Sequence, residues 1–328
     1  MHHTVVSTPL RVSLLGGGAD FAEFTKIRPR YVFGMGINKF IHFNAYPMPE
    51  VIPSRHRFQY SQTEEFSTLA GIKHPVIRAV LSENPPSTYI NVAIASDLPG
   101  GSGLGSSSTF TCGLLHLIRH LNGQPHHPNL LAAHTIRLEQ EVLKEAVGIQ
   151  DQIYAALGNV QLIKLNQHSF SQVSIPNHFE EIIKRLFDES FLVFTNFLRS
   201  SSNTQKSFDV EKKKESVEQI SEIADYFVDE LYKTSDPWSL LAECVNESWK
   251  LKAQYCLSKD FYSINQIVEE ALGNGALFAK LLGAGNGGFV FCSVPNDRQD
   301  QFLKCFEDRK VIKIKPSDYG SQAYILKQ

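Results

Sequence analysis

The chain of 328 residues has few cysteines, and the five present (Cys112, Cys244, Cys256, Cys292 and Cys305) are scattered and odd in number. No Cys-x-x-Cys pair occurs, so neither a zinc ribbon nor a disulfide framework is expected, and reduced thiols of a cytosolic compartment are. Charge of one sign is not in excess: 32 lysines and arginines face 34 acidic residues, a net charge of -2. That balance argues against nucleic acid or an anionic membrane as a partner. No apolar run reaches the length of a membrane span, and the first residues carry no apolar signal segment. The expectation is a cytoplasmic protein with no membrane partner. Fixed-period repeats and low-complexity tracts are missing too. So are two nucleotide-binding signatures. No Gly-Lys-Ser/Thr closes a P-loop, and no Gly-x-Gly-x-x-Gly frame fits, because Ser106 stands three residues after Gly103.

What is present is an ordinary globular composition, 42% apolar and 20% charged, in a chain long enough for about two domains. Its most informative stretch is Asp97-Leu-Pro-Gly-Gly-Ser-Gly-Leu-Gly-Ser-Ser-Ser-Thr109. Gly101, Gly103 and Gly105 lead into Ser106 and Ser107, and apolar residues at helical spacing follow (Phe110, Leu114, Leu117, Leu121). This pattern is a loop feeding a helix N-terminus, where free backbone N–H groups and the positive dipole end can hold an anion. Glycine allows close approach of a phosphate and positive φ. A plain turn with a serine N-cap is the competing reading. The favoured one is a nucleotide-phosphate site over Pro99, Gly100, Gly101, Ser102, Gly103, Leu104, Gly105, Ser106 and Ser107.

Strand patterns occur at Thr4–Ser7, Leu10–Leu15, Tyr31–Phe33, Lys39–Ala45 and Tyr89–Ala95, and a helix is expected over roughly 129–146. From about residue 176 the chain is mainly helical, with the run Glu211–Glu215 as a solvated face. A second glycine cluster, Gly283-Ala-Gly-Asn-Gly-Gly288, runs into the strand pattern Val290–Val294. Strands and helices mix in both halves, which gives an α+β fold of two domains, 1–175 and 176–328, with the active site in the cleft between them.

Three motifs, in order, resemble those of the GHMP small-molecule kinases, the family of galactokinase, homoserine kinase and mevalonate kinase. They are Pro9-Leu-Arg-Val-Ser-Leu-Leu-Gly-Gly-Gly-Ala-Asp20, Leu98-Pro-Gly-Gly-Ser-Gly-Leu-Gly-Ser-Ser107 and the Gly283–Gly288 cluster. The opening motif is similar to that of the branch acting on D-glycero-D-manno-heptose 7-phosphate. Two departures stand out: Ala19 where threonine is usual, and Asn286 within the last glycine run. The resemblance implies the GHMP fold, ATP and Mg2+ as cofactors, and a small-molecule sugar phosphate as substrate. It leaves the oligomeric state open.

Phosphoryl transfer needs neutralised phosphate charge, a placed acceptor hydroxyl and a proton acceptor. Asp151, after the break at Gly148, can orient or deprotonate a hydroxyl or cap the helix that follows. The resemblance implies the first, with Arg11 as its partner. An inward arginine in so apolar a strand needs a charged partner. By family spacing Glu139 is the metal carboxylate, with Ser107 as its co-ligand; Glu141 remains the competing assignment. Asp20 has a capping-box spacing to Glu23, whereas the resemblance makes it a sugar ligand beside Gly17 and Gly18. Those glycines open room for a long sugar, and their amides can form an anion nest. Arg199 is suited to hold a distal phosphate, and Gly285 belongs to the cluster that closes the site. Two rival functions remain at this point: a kinase for another sugar of the galactose or fucose type, and a catalytically silent sugar sensor.

Overall fold

The computed structural model describes residues 2–48, 55–167, 169–174, 176, 179–197, 210–255, 260–283, 285 and 287–326. In chain order the strands are β1 (His3–Leu15), β2 (Arg30–Pro47), β3 (His56–Gln59), β4 (Thr63–Phe66), β5 (Ile90–Ser96) and β6 (Val160–Leu165). They continue with β7 (Phe170–Gln172), β8 (Ser190–Phe194), β9 (Phe278–Leu281), β10 (Phe289–Ser293), β11 (Val311–Lys313) and β12 (Gln322–Leu326). The helices are α1 (Ala22–Thr25), α2 (Pro75–Glu83), α3 (Ser106–Leu121), α4 (Pro128–Arg137) and α5 (Gln150–Leu157). After them come α6 (Glu180–Glu189), α7 (Val210–Leu231), α8 (Pro237–Tyr255), α9 (Phe261–Gly273) and α10 (Gln299–Cys305).

Two sheets organise the molecule. The first has the order β12-β1-β2-β5-β3-β4, with β6 also paired to β2 and β7 to β6. Its long strand β2 pairs β6 over Arg30–Met35 and β5 over Ile41–Pro47. The second sheet is β11-β8-β10-β9. The expected strands at 4–7 and 10–15 are one strand, and so are those at 31–33 and 39–45. A period-2 pattern broken by Pro9 or by Gly34 and Gly36 does not reveal continuity supplied by a neighbouring strand. The register of β1 against β2 shifts between Pro9 and Arg11. Proline has no N–H for the ladder, and such an irregularity re-aims the side chain that follows.

Helices α2, α3, α4 and α5 contribute Ile77, Leu114, Leu117, Leu131 and Ile153 to one core with Val12, Phe33 and Val92 of the first sheet. That core runs on into Phe227 of α7 and Leu241 of α8, so it bridges the two halves. A second core lies around β8 and β10, with Ile264, Ile267 and Phe302. The region after 176 is mainly helical as expected, yet it also builds the four-stranded sheet and returns β12 to β1 of the first. The helix expected over 129–146 is shorter. It ends at Arg137 and passes into a π-helical turn, Leu138–Val142, after which Lys144 takes φ 57°. Among the described residues, no helix is long and apolar enough to cross a membrane.

Candidate active site

The two glycine motifs meet. Gly101, Gly103 and Gly105 have φ of 72°, 79° and 72°, a left-handed alternation open to glycine without steric cost. A Cβ on Gly103 would stand 2.6 Å from the Leu282 carbonyl oxygen, and one on Gly288 would stand 2.1 Å from that of Ser102. The third motif therefore lies directly on the loop, backbone against backbone. Thr195 fastens it, its hydroxyl donating to the Gly288 carbonyl at 2.9 Å. The Leu104 carbonyl accepts from the Arg11 amide at 3.0 Å, joining the loop to β1.

Gly105 is the N-cap of α3, in the left-handed region and without a side-chain cap hydrogen bond. Ser106 and Ser107 thus do not cap the helix, and no acidic residue occupies its first turn. The amino end keeps its positive partial charge for an anion. Within the expected nucleotide set, Pro99, Gly100 and Ser107 are exposed, Gly101, Gly103, Gly105 and Ser106 are half-buried, and Ser102 and Leu104 are fully buried.

Arg11 grips Asp151 with two bonds, Nε to Oδ1 at 2.7 Å and NH2 to Oδ2 at 2.6 Å, while NH1 donates to the Gly103 carbonyl at 2.6 Å. One buried guanidinium therefore ties β1, α5 and the glycine loop together. Burial opposes its charge, but the Asp151 carboxylate outweighs this and the Arg11 pKa is raised. Asp151 lies in the first turn of α5, whose N-cap is Ile149 with no side-chain cap bond. It does not cap its own helix.

Asp20 does not form a capping box with Glu23, since the N-cap of α1 is Phe21 and makes no side-chain cap bond. Its Oδ1 accepts from the Gly18 amide at 3.1 Å and its Oδ2 from the Gln150 amide at 3.3 Å. A Cβ at Gly148 would stand 1.8 Å from Asp20 Oδ2, so the glycine break before Asp151 is what admits Asp20 to the amino end of α5. Burial first, and the nearby Asp151 carboxylate second, push the Asp20 pKa up to about 6.

Glu139 lies on the π-helical turn and is fully buried, while Glu141 is exposed. Its Oε2 accepts from the Ser108 hydroxyl at 2.9 Å and from the Gln152 amide; Oε1 is buried without a partner. Burial pushes its pKa up to about 7, against the hydrogen bonds that Gln152 and Ser108 supply. An orphaned buried carboxylate oxygen beside a serine hydroxyl is a hard oxygen donor set, which fits Mg2+ shared with phosphate oxygens. Among the described residues, no cluster of three His, Cys, Asp or Glu could hold a metal by itself. The hydroxyl bonded to Glu139 is that of Ser108; the expected co-ligand Ser107 is the exposed residue just before it.

Arg199 lies outside the described residues. Gly17 and Gly18 adjoin Asp20 and are half-buried, and Gly285 is buried with φ 101°. Sequence reasoning missed Ser108, Gln152 and Lys280. The Lys280 Nζ, buried in β9, donates to the Leu14 carbonyl of β1 at 2.7 Å and so spans the two sheets. Burial, then Lys252 and Arg11, press its pKa down to about 7. A lysine inside the apolar strand Phe278–Leu281 was the available signal, the same kind that drew notice to Arg11.

Comparison with known proteins finds one family in both halves of the chain. The profile of the GHMP kinases N terminal domain matches residues 72–159, and that of the GHMP kinases C terminal domain matches residues 229–310. A D-glycero-alpha-D-manno-heptose 7-phosphate kinase of Campylobacter jejuni is 26% identical over 312 residues, covering 90% of this chain and 91% of that protein. A galactokinase of Pyrococcus furiosus is 25% identical, covering 97% and 99%. In three dimensions the chain superposes on a D-glycero-D-manno-heptose 1-phosphate kinase from Bacteroides thetaiotaomicron with a TM-score of 0.77 at 18% identity, covering 99% and 100%. For the Methanococcus jannaschii mevalonate kinase the TM-score is 0.75 at 20% identity, covering 96% and 99%. With both family profiles matched in order along the chain, this chain belongs to the GHMP kinase family.

Proposed function

We propose that this protein transfers the γ-phosphoryl group of ATP to the anomeric hydroxyl of D-glycero-D-manno-heptose 7-phosphate, giving the 1,7-bisphosphate. As a GHMP kinase with heptose phosphate and galactose kinases among its relatives, it is an ATP-dependent sugar kinase. The observation that carries the reading is the Arg11–Asp151 pair, held beside Asp20 on one side and the amino end of α3 on the other. The heptose assignment rests on the Campylobacter jejuni relative, similar over 90% of the chain, and on the bare Gly17-Gly18 turn next to Asp20.

In this reading the first domain is 1–175 and the second 176–328, with β12 of the second completing the sheet of the first. The phosphates of ATP lie along Gly101–Ser107 against the first-turn amides of α3, which compensate their charge. Asp20 and the Gly17 and Gly18 backbone orient the acceptor, and Gly285 closes the opposite wall. Asp151 accepts the proton of the acceptor hydroxyl as its oxygen bonds to the γ-phosphorus and the bond to the ADP oxygen breaks. Arg11 holds the Asp151 carboxylate in one orientation through both oxygens, and Arg199 is assigned to the 7-phosphate. Glu139, with Ser107 and Ser108, would hold Mg2+, which when bound neutralises phosphate charge. Phosphorus and proton NMR of the product made from ATP and the heptose 7-phosphate tests the assignment. The new phosphate is expected to couple to the anomeric proton; coupling to any other ring proton would move the acceptor hydroxyl elsewhere.

A further inference from the structure

The turn that carries Gly17, Gly18 and Asp20 has little structure of its own. Its backbone bonds are Ala19 N–H to the Gly16 carbonyl at 3.2 Å and Gly18 N–H to the Asp20 carboxylate at 3.1 Å. From outside, the amino end of α5 holds the Asp20 carboxylate through the Gln150 amide at 3.3 Å, and α7 bears on Gly18 and Ala19. Val217 is buried against Ala19 and Phe24 in a small separate apolar cluster. A Cβ at Gly18 would stand 3.3 Å from the Val217 Cγ2, so the helix touches the turn where a side chain would otherwise fit.

Further along α7, Phe227 enters the main core, but at Val217 the apolar contact is with the small cluster alone. A shallow groove lined by Phe24, Ile27, Lys214, Glu215 and Glu218 opens this seam to solvent. The stronger tie is polar. Arg30, at the start of β2, is fully buried. Its NH1 donates to Glu218 Oε1 at 2.6 Å and to the Ser221 hydroxyl at 3.2 Å, both on α7. Its Nε donates to the Phe24 carbonyl of α1 at 3.3 Å, and its guanidinium lies 5.9 Å from the Phe24 ring centre. Arg28 adds a second grip, with NH2 to Glu218 Oε1 at 3.2 Å and NH1 to Asp225. The hydrogen bond from Arg30 holds the Glu218 carboxyl below its ordinary pKa. One arginine thus fixes the sheet, the short helix after the turn and the helix above it.

We propose that Arg30 and Glu218 are positioning residues for the acceptor turn: they pin α7, and through Val217 they hold Gly17, Gly18 and Asp20 in the geometry that receives the sugar. This makes α7 a specificity element acting on the acceptor and not on the nucleotide. The inference rests on the reading of Gly17–Asp20 as the acceptor site, but the pinning itself can be measured without any sugar. In Glu218→Gln the shape is kept and the charge lost. The acceptor KM should rise about tenfold, while kcat and the KM for ATP stay within about twofold. In the sugar-free protein, the Gly18 and Ala19 amides should exchange with deuterium about tenfold faster, and the Thr109 amide at the unchanged pace. Arg28→Gln, which touches only the outer, half-exposed grip, should raise the acceptor KM about threefold. Glu222→Gln, exposed on the same helix, should change nothing. A folded Glu218→Gln with unchanged exchange at Gly18 and Ala19 would overturn the pinning. Equal rises in the KM values for ATP and acceptor would overturn the assignment to the acceptor. If Glu218→Gln fails to fold, Arg28→Gln decides, and an unchanged acceptor KM there refutes the proposal. Absence of turnover on every sugar would strike the kinase reading and leave the exchange result to judge the pin.

Discussion

Replacing Asp151 by asparagine separates a proton acceptor from a structural anchor. The carboxylate takes two charge-assisted bonds from Arg11, at 2.7 and 2.6 Å, with side-chain exposures of 8% for the arginine and 25% for the aspartate. Each such bond contributes about 1.5–3 kcal/mol. Asparagine keeps one acceptor oxygen but turns an NH2 toward the guanidinium, and the remaining solvent contact of the site softens the loss. The expected stability cost is therefore about 2 kcal/mol, below the 3–5 kcal/mol typical of a wholly buried broken pair. The catalytic cost is larger. Losing a general base lowers turnover by about 10²–10⁴, so kcat should fall about a thousandfold, equivalent to about 4 kcal/mol of barrier. Arg11 still holds the Gly103 carbonyl through NH1, so ATP affinity measured by calorimetry should stay within about threefold. Removing the Asp151 charge should also let Asp20 ionise at lower pH, because that charge is the second cause of its upward shift. A coupled ADP-release assay, calorimetry and thermal unfolding on one preparation decide the matter. A kcat within about tenfold of the parent protein, with ATP affinity lost in proportion, would refute the catalytic assignment and leave Asp151 an anchor.

Asp20 gives a pH dependence of definite sign. Its pKa is raised in the folded protein from 3.8 to about 6, so between those values the native state binds more protons than the unfolded one, and stability falls as pH rises through that window. Denaturant titrations of the parent and Asp20→Asn from pH 3.5 to 7 should show the difference changing by on the order of 3 kcal/mol, and a flat difference would remove the assigned burial. Gly103→Ala places a Cβ 2.6 Å from the Leu282 carbonyl at φ 79°. It should destabilise by about 2–4 kcal/mol, seen as a lower unfolding temperature without nucleotide. An unchanged unfolding temperature with only ATP affinity reduced would mean that the two glycine motifs do not touch.

The parts of the site legible in the sequence were those in which one residue type betrays its own environment. An arginine in an apolar strand signals a buried partner, and glycine alternation before a helical stripe signals an anion site. The partner's identity, Asp151, came from family likeness and not from the residues alone. Arg11 and Asp151 lie 140 residues apart; the strand register shifts just before Arg11, and the missing side chain at Gly105 leaves room for the pair. Glu139 illustrates the same limit. Helical periodicity carried straight through to residue 146, whereas the π-helical turn rotates Glu139 inward and leaves Glu141 outside. That the Gly283–Gly288 cluster closes the site was expected from family likeness, but the backbone-on-backbone closeness of Gly103 to Leu282 changes the reason a side chain fails there: the first obstacle is the neighbouring motif, before any phosphate. Strand β12 takes its pairing from β1, more than 300 residues earlier in the chain, which no local pattern reveals.

The central claim is acceptor choice, and steady-state kinetics across one sugar panel tests it most directly. With ATP and Mg2+ saturating, kcat/KM is measured for D-glycero-D-manno-heptose 7-phosphate, the unphosphorylated heptose, galactose and fucose, on the parent chain and on Arg199→Ala. The highest value is expected for the heptose 7-phosphate, with Arg199→Ala penalising that acceptor more than the unphosphorylated ones. A free hexose giving the highest kcat/KM, or an equal penalty on all acceptors, would contradict the account.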